Sequence, residues 1–479
     1  MNLLLLLTLV GIGGIVLVLV VRAHPIFFIC LTGYSLVLTQ SFPITYIGDR
    51  PVNISTDYIL IPSLLAAWLL SRIQRAGRRA LPRFALPYLF FSVWAVITLL
   101  LSIFRHGLTV HLPALIETYK WFLYTLLLLP CLEFIRSEKH ARTVLKHLAV
   151  AAFIVVIVGY VQWYLLPSRW HGNIVSTFGS IARQDIISTK NSFAVYMAMS
   201  WLIVVALFLN RRLNMRLGLV LLGAFGVLVL WSLSRSASLG ILVGLTWLAL
   251  TSTTAPFQYF RVPKRLGCLF TAVGILVIAA FVLSVKEGFE DHTPLGSIMS
   301  LFGDPSISEG AKSVAIRKNM FVEGVRTFLE RPLEGCGFYA RAIEYPDLTI
   351  VDNFYLDVAL DTGFVGLLLM LWLLMSALAF VWRIRQVTMR LNAPELSTWA
   401  WGAGGALVCL YFSGISGSIP YVSRIMGTVV MVLACLAIWQ KHVFQERRQD
   451  NQQILGSKQP SGLESGRDIG MSKELLTKV

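Results

Sequence analysis

The sequence predicts an all-α fold: a polytopic transmembrane helical bundle with one large loop outside it. Three observations carry this. Of 479 residues, 56% are hydrophobic and 14% charged, against about a quarter charged in an ordinary soluble chain. Apolar runs recur along nearly the whole length, each of about 20 residues and so long enough to cross about 30 Å of hydrocarbon. Alternate connections between the runs are rich in basic residues.

Spans are read at 2–21, 25–40, 57–71, 85–104, 113–132, 148–166, 191–210, 216–233, 237–253, 268–285, 363–382, 399–415 and 425–440, about 12–13 crossings when the weak early runs are allowed for. The first run lacks a basic leader and a small-residue cleavage site, so it is read as a span and not as a cleaved signal. Arginines and lysines crowd the connections 72–84, 133–147, 211–216, 254–267 and 383–398. The positive-inside rule puts all five in the cytoplasm. That topology accounts for most of the +16 net charge, and no nucleic-acid partner is expected. Cysteines 30, 131, 268, 409 and 435 read as small hydrophobes within or beside apolar runs; Cys336 stands apart in the loop "EGCGF". The expected organisation is ten spans over 1–285, an outer catalytic loop over 286–350, three spans over 351–440, and a polar, disordered cytoplasmic tail over 441–479.

A connection as long as 286–350 is a place for function. Within it, "VAIRKNMFVEGVRTFLERP" predicts an amphipathic helix ending near Pro332, with Met320, Phe321, Val325 and Phe328 as its apolar stripe. Glu323, Arg326 and Glu330 fall on the polar side, and Arg317 falls within the stripe. A guanidinium there pairs with an anion or snorkels; a structural ion pair and a ligand site are both open on spacing alone.

Other cations gather on the same side. Arg235 in "LWSLSRSASLG" stands between two apolar runs with almost no loop around it, the position of an interfacial arginine on lipid phosphate or of a functional group. The serines at 232, 234, 236 and 238 suit helix caps. In "STFGSIARQDIISTKNSFAVYM", Arg183 and Lys190 precede a membrane helix for which Asn191 is the expected N-cap. In "VDNFYLDVALDTGFVG", Asp357 and Asp361 share one helix face and read as edge charges in a first turn, favoured by the macrodipole. Asp352, beside Asn353, faces whatever the long loop covers. Arg183, Lys190, Arg235, Arg317 and Arg331 thus stand against one well-placed carboxylate. With no histidine pair, cysteine cluster or Asp-x-Asp, no metal and no cofactor are expected. Arginine forks suit phosphate oxygens, which points to a transferase whose leaving group is a lipid-linked phosphate or pyrophosphate. A flippase or exporter is the rival of another class. It would carry ionisable residues at mid-depth in several spans, and these spans are nearly free of charge.

"SLSRSASLG", "RPLEGCGF" and "VDNFYLDVALDTGFVG", in that order around a long loop and preceded by the stretch that contains Asn191, resemble the bacterial O-antigen ligase and polymerase family over roughly residues 160–380. The resemblance implies a metal-independent glycosyltransferase of the GT-C type in the bacterial inner membrane. It would act at the periplasmic face on undecaprenyl-pyrophosphate-linked glycans. Arg235 and Arg317 fall on the family's arginines. Asp352 falls where ligases that act on lipid A-core have a histidine before asparagine. That departure favours a polymerase of an exopolysaccharide, capsule or O-antigen over a ligase to lipid A-core or protein. The expected catalytic residues are then Asp352, Arg317 and Arg235, with Arg183, Lys190, Asn191, Arg331 and Asn353 binding substrate and His292 as the alternative base. Expected partners are the lipid-linked glycan, the bilayer, and a chain-length regulator or other polysaccharide assembly protein.

Overall fold

The computed structural model describes residues 3–38, 42–47, 50–54, 56–74, 82, 84–165, 186–232, 234–252, 309–345, 348, 351–417 and 423–457. The predicted span at 268–285, Arg183 and His292 lie outside them.

The protein is an all-α transmembrane bundle. Helix α1 (Leu3–Ala23) and α2 (Pro25–Leu38) turn through 109° at His24, where Pro25 cannot continue the preceding helix. The two expected crossings are therefore one bent pair. A two-stranded antiparallel hairpin follows, β1 (Phe42–Ile47) with β2 (Arg50–Ile54). Then come α3 (Asp57–Gln74), α4 (Ala85–His106), and α5 (Leu112–Leu126) with α6 (Leu128–Phe134) as one rod. They are followed by α7 (Glu138–Leu165), α8 (Ile186–Leu209), α9 (Met215–Trp231) and α10 (Arg235–Ser252). The connection between α10 and the next long helix holds α11 (Glu309–Glu330) and the single turn α12 (Arg341–Glu344). The chain closes with α13 (Phe354–Arg390), α14 (Pro394–Ser413), a 3₁₀ turn at Gly414–Ser416, and α15 (Ser423–Ser457). Among the described residues six of these helices, the α5–α6 rod counting as one, are long and apolar enough to cross a membrane, and the bent pair adds a seventh. Helix α15 runs well past residue 441, where the sequence suggested a disordered tail.

One continuous apolar core joins these helices apart from α11. Leucine, isoleucine and valine on α1, α4, α7 and α10 are also widely exposed, as expected where the bundle meets hydrocarbon. At the basic end, Arg142 bridges Glu138 (2.5 Å) and Glu395, tying the start of α7 to that of α14. There the His442 ring donates to the Arg136 carbonyl (2.6 Å) and Arg447 to that of Leu391 (2.9 Å).

The opposite end is organised by a break in α13. Gly363 has φ 69° and ψ −173° within that helix, a conformation that side chains oppose. A Cβ there would collide with the Leu333 carbonyl. The break orphans helix carbonyls, and each finds a donor. The N–H of Cys336 bonds the Leu360 carbonyl (2.8 Å), that of Gly337 bonds Asp361 (2.9 Å), and the Trp94 indole bonds Thr362 (2.8 Å). In return the Phe364 N–H reaches the Pro332 carbonyl (2.7 Å). "RPLEGCGF" and "LDTGFVG" are therefore the two halves of one backbone joint.

Candidate functional site

Helix α11 lies alongside the first segment of α13. Val325 and Phe328 pack on Val351, Leu356 and Leu360, and Gly324 allows close approach to Leu356. The contact face differs from the expected stripe. Phe321 is 46% exposed, whereas Thr327 is 3% exposed. Arg317, Gly324 and Arg331 are seven residues apart and share this face, so the two arginines mark its ends.

At one end, Arg317 Nε donates to Asp352 Oδ2 at 3.0 Å, with both side chains 33% exposed. Two of the three expected catalytic residues thus touch. Asp352 adopts φ 51°, a left-handed conformation that aspartate tolerates better than most side chains. Asn353 fixes it there. Its Oδ1 caps α13 by accepting from the Leu356 N–H (3.0 Å), and its Nδ2 donates to the Ile415 carbonyl (2.9 Å). Two residues before Ile415, Ser413 donates to the Ser236 carbonyl (3.1 Å). Arg235 is the first residue of α10, next to Ser236. A short chain of contacts therefore joins Arg317, Asp352, Asn353 and the start of α10. The serines of that start are buried and locally bonded: Ser232 Oγ accepts from the Ser234 N–H (3.3 Å) and Ser234 meets Ser236 (3.1 Å). The N-terminus of α13 follows Asp352 and Asn353 directly, and the start of α10 is joined to it through Ile415 and Ser413. A helix N-terminus presents N–H groups and a dipole that favour an anion.

Arg331 is elsewhere. It lies about 21 Å along α11 from Arg317, 14 residues at 1.5 Å each. There it pairs with Glu344 Oε1 at 2.5 Å, and the same oxygen meets His106 Nε2 at 2.6 Å. Burial works against the Arg331 charge, but the hydrogen bond and charge of Glu344 prevail and hold its pKa above the ordinary value. Arg105 pairs with Glu334 nearby, and Tyr345 donates to Glu330 (2.6 Å). These contacts clamp the 331–345 segment onto the tip of α4. Partners such as Arg105 and Glu334, 229 residues apart, left no signal in the sequence.

Asp357 and Asp361 are not edge charges. Their side chains are 2% and 4% exposed, and Arg341, 7% exposed, sits 2.6 Å from Asp357 and 3.9 Å from Asp361. The loop that the sequence left open folds over this helix start and seals it. Cys336 lies in the same joint, 2% exposed; burial, with the Asp361 and Glu344 charges, pushes its thiol up to about 12. Asn191 is not an N-cap either: α8 begins at Ile186, so Asn191 and Lys190 stand inside it.

No curated protein matches the chain. The family model described as O-antigen ligase matches residues 217–371, from the first turn of α9 to the middle of α13. That stretch contains Arg235, Arg317, Asp352, Asn353, and both halves of the α13 joint. Over this stretch, about a third of the chain, the protein is similar to the O-antigen ligase family, whose members transfer glycans.

Proposed function

We propose that the protein lengthens an exopolysaccharide, capsule or O-antigen chain by transferring a glycan from undecaprenyl pyrophosphate to a new lipid-linked repeat unit. The reaction is placed at the end of the bundle opposite the basic rim, the periplasmic face of an inner membrane under the positive-inside rule. The observation that carries this reading is the partly exposed Arg317–Asp352 pair at the N-terminus of α13. A guanidinium and a helix N-terminus suit a pyrophosphate, and a carboxylate within hydrogen-bond reach suits a hydroxyl nucleophile.

The steps follow from that geometry. Pyrophosphate oxygens compete with Asp352 for the Arg317 fork. Once Arg317 turns to phosphate, the Asp352 oxygen it occupied is free to accept the proton of the acceptor hydroxyl. The hydroxyl oxygen bonds to the anomeric carbon while that carbon's bond to pyrophosphate breaks, with inversion. The leaving undecaprenyl pyrophosphate keeps the electron pair. Arg317, with Arg235 at the start of α10, offsets the growing charge. Stabilisation by groups already fixed in place commonly accounts for most of an enzyme's rate gain.

The test is purified full-length protein given lipid-linked repeat units alone. A ladder of lengthened products is the expected result. Product formed only when lipid A-core is supplied would identify a ligase. Translocation in vesicles without product would identify a flippase. Either outcome overturns the polymerase reading.

A further inference from the structure

A second feature lies at the other end of the bundle. A cavity of about 350 Å³ opens between α7 and α9, with α8, α14 and α15 behind it. Apart from Tyr196, Met199, Ser200, Thr428 and the Trp399 indole, its lining is aliphatic or phenyl. Helices α7 and α9 meet in their halves far from the basic end: Tyr160 donates to the Ala224 carbonyl (3.0 Å), and Gly159 faces Leu228. Toward the basic end they part. Val150, Phe153 and Leu217 line the cavity while remaining 47%, 42% and 46% exposed. They form a mouth that faces sideways. For a transmembrane bundle that direction is hydrocarbon, so the solvent at this opening is lipid.

The rim of the mouth is charged. Lys146 is exposed and stands one and two turns before Val150 and Phe153 on the same face of α7. Arg216 is exposed beside Leu217 on α9. Neither has an ion-pair partner among the described residues. Arg212 differs, since it lines a separate polar pocket with Glu138, Glu395 and Glu446 and so already faces carboxylates.

We propose that this cavity holds an acyl chain of an anionic phospholipid from the leaflet at the basic end, with Lys146 and Arg216 holding the phosphate. An apolar cavity stays dry, and one of about 150 Å³ already takes a benzene, so this larger one suits a hydrocarbon chain. The basic rim selects the head group, because each lysine or arginine near an anionic surface strengthens binding about fivefold. The inference does not rest on the glycan-transfer reading, as no residue of that site takes part.

The test uses full-length protein purified in a neutral detergent, offered phosphatidylglycerol or phosphatidylcholine with identical chains, and bound lipid counted by native mass spectrometry. Two rim residues predict a preference for phosphatidylglycerol of about 25-fold. Lys146→Gln with Arg216→Gln should bring the two lipids level. Arg383→Gln with Arg390→Gln removes the same charge from exposed positions on α13, away from the cavity, and should keep the preference. Ala149→Trp at the mouth should lose both lipids. Equal retention of the two lipids by the wild type would overturn the proposal. So would a preference that survives the rim variant or is lost in the α13 variant, or undiminished binding in Ala149→Trp. If Ala149→Trp fails to fold, the two charge variants still decide.

Discussion

Two arginines, Arg317 and Arg341, contact aspartates that lie within ten residues of one another at the start of α13, and the two groups differ in burial. Arg317–Asp352 is spaced at 3.0 Å with both side chains a third exposed. Arg341 with Asp357 and Asp361 is sealed, each side chain below a tenth exposed. The residue types are identical; burial separates them. A sealed pair cannot exchange its partner for a ligand, and losing one member strands the other charge. An open pair contributes little to stability and can give up its cation to an incoming phosphate. Burial therefore ties Asp357 and Asp361 to the joint, and exposure leaves Asp352 open to the role proposed for it.

The largest effect is expected where the sealed group is cut. Arg341→Leu leaves Asp357 and Asp361 buried without their cation, and should cost about 3–5 kcal/mol, read as a fall in melting temperature in detergent. A variant that melts with the wild type would show that the joint does not need the charge and would erase the contrast.

Cutting the open pair should do the reverse. Arg317→Lys should lower glycan transfer by about 10²–10³, the loss of one preorganised donor, because lysine lacks the fork. Its stability should stay within about 1 kcal/mol of wild type. The exchange Arg317→Asp with Asp352→Arg sharpens the point. It can rebuild an ion pair, but it moves the cation off α11, so turnover should remain low. Near-normal transfer by the exchanged protein would mean that the pair is merely structural.

How much of this was legible in the sequence follows from which forces act locally. The spans were legible because the bilayer demands long apolar helices wherever they lie. The helix through Arg317 was legible from its own periodicity. The Arg317–Asp352 contact was not, because 35 residues separate the partners and no periodicity links them. Asp357 and Asp361 misled because the dipole argument assumes a helix start facing water, and "RPLEGCGFYAR" folds over this one. Asn191 misled because α8 takes five more residues than its apolar run. The hairpin at 42–54 does carry a local signal, apolar and polar residues on either side of Gly48-Asp49, a turn dipeptide, but the long apolar runs around it dominate the pattern.

The backbone joint should give an intermediate effect. Gly363→Ala forces a side chain into a left-handed conformation, costing about 1–2 kcal/mol, and its Cβ meets the Leu333 carbonyl. The readout beyond melting is Cys336, measured in a Cys268→Ser background because the five described cysteines are all buried. Its thiol should resist maleimide in the parent and react faster in Gly363→Ala. Equal labelling rates would mean that the joint does not seal the Arg341 cluster.

The smallest effect tests the rim of the seal. Tyr345 donates to Glu330 at 2.6 Å, and this bond, with burial, raises its pKa from the ordinary 10 to about 12. Below pH 10 the phenol is protonated in folded and unfolded chains alike, so its stabilising bond is fully present. As pH rises from 10 towards 12 the unfolded chain loses this proton first, and the contribution falls away. Tyr345→Phe should therefore cost no more than about 1 kcal/mol at neutral pH, a partly exposed bond being worth less than a sealed one, and the gap to wild type should close on titration to pH 11.5. A gap that stays constant across that range would place the tyrosine's contribution in its ring packing and not in the bond to Glu330. The clamp on the 331–345 segment would then rest on Arg331, Glu344 and His106 alone.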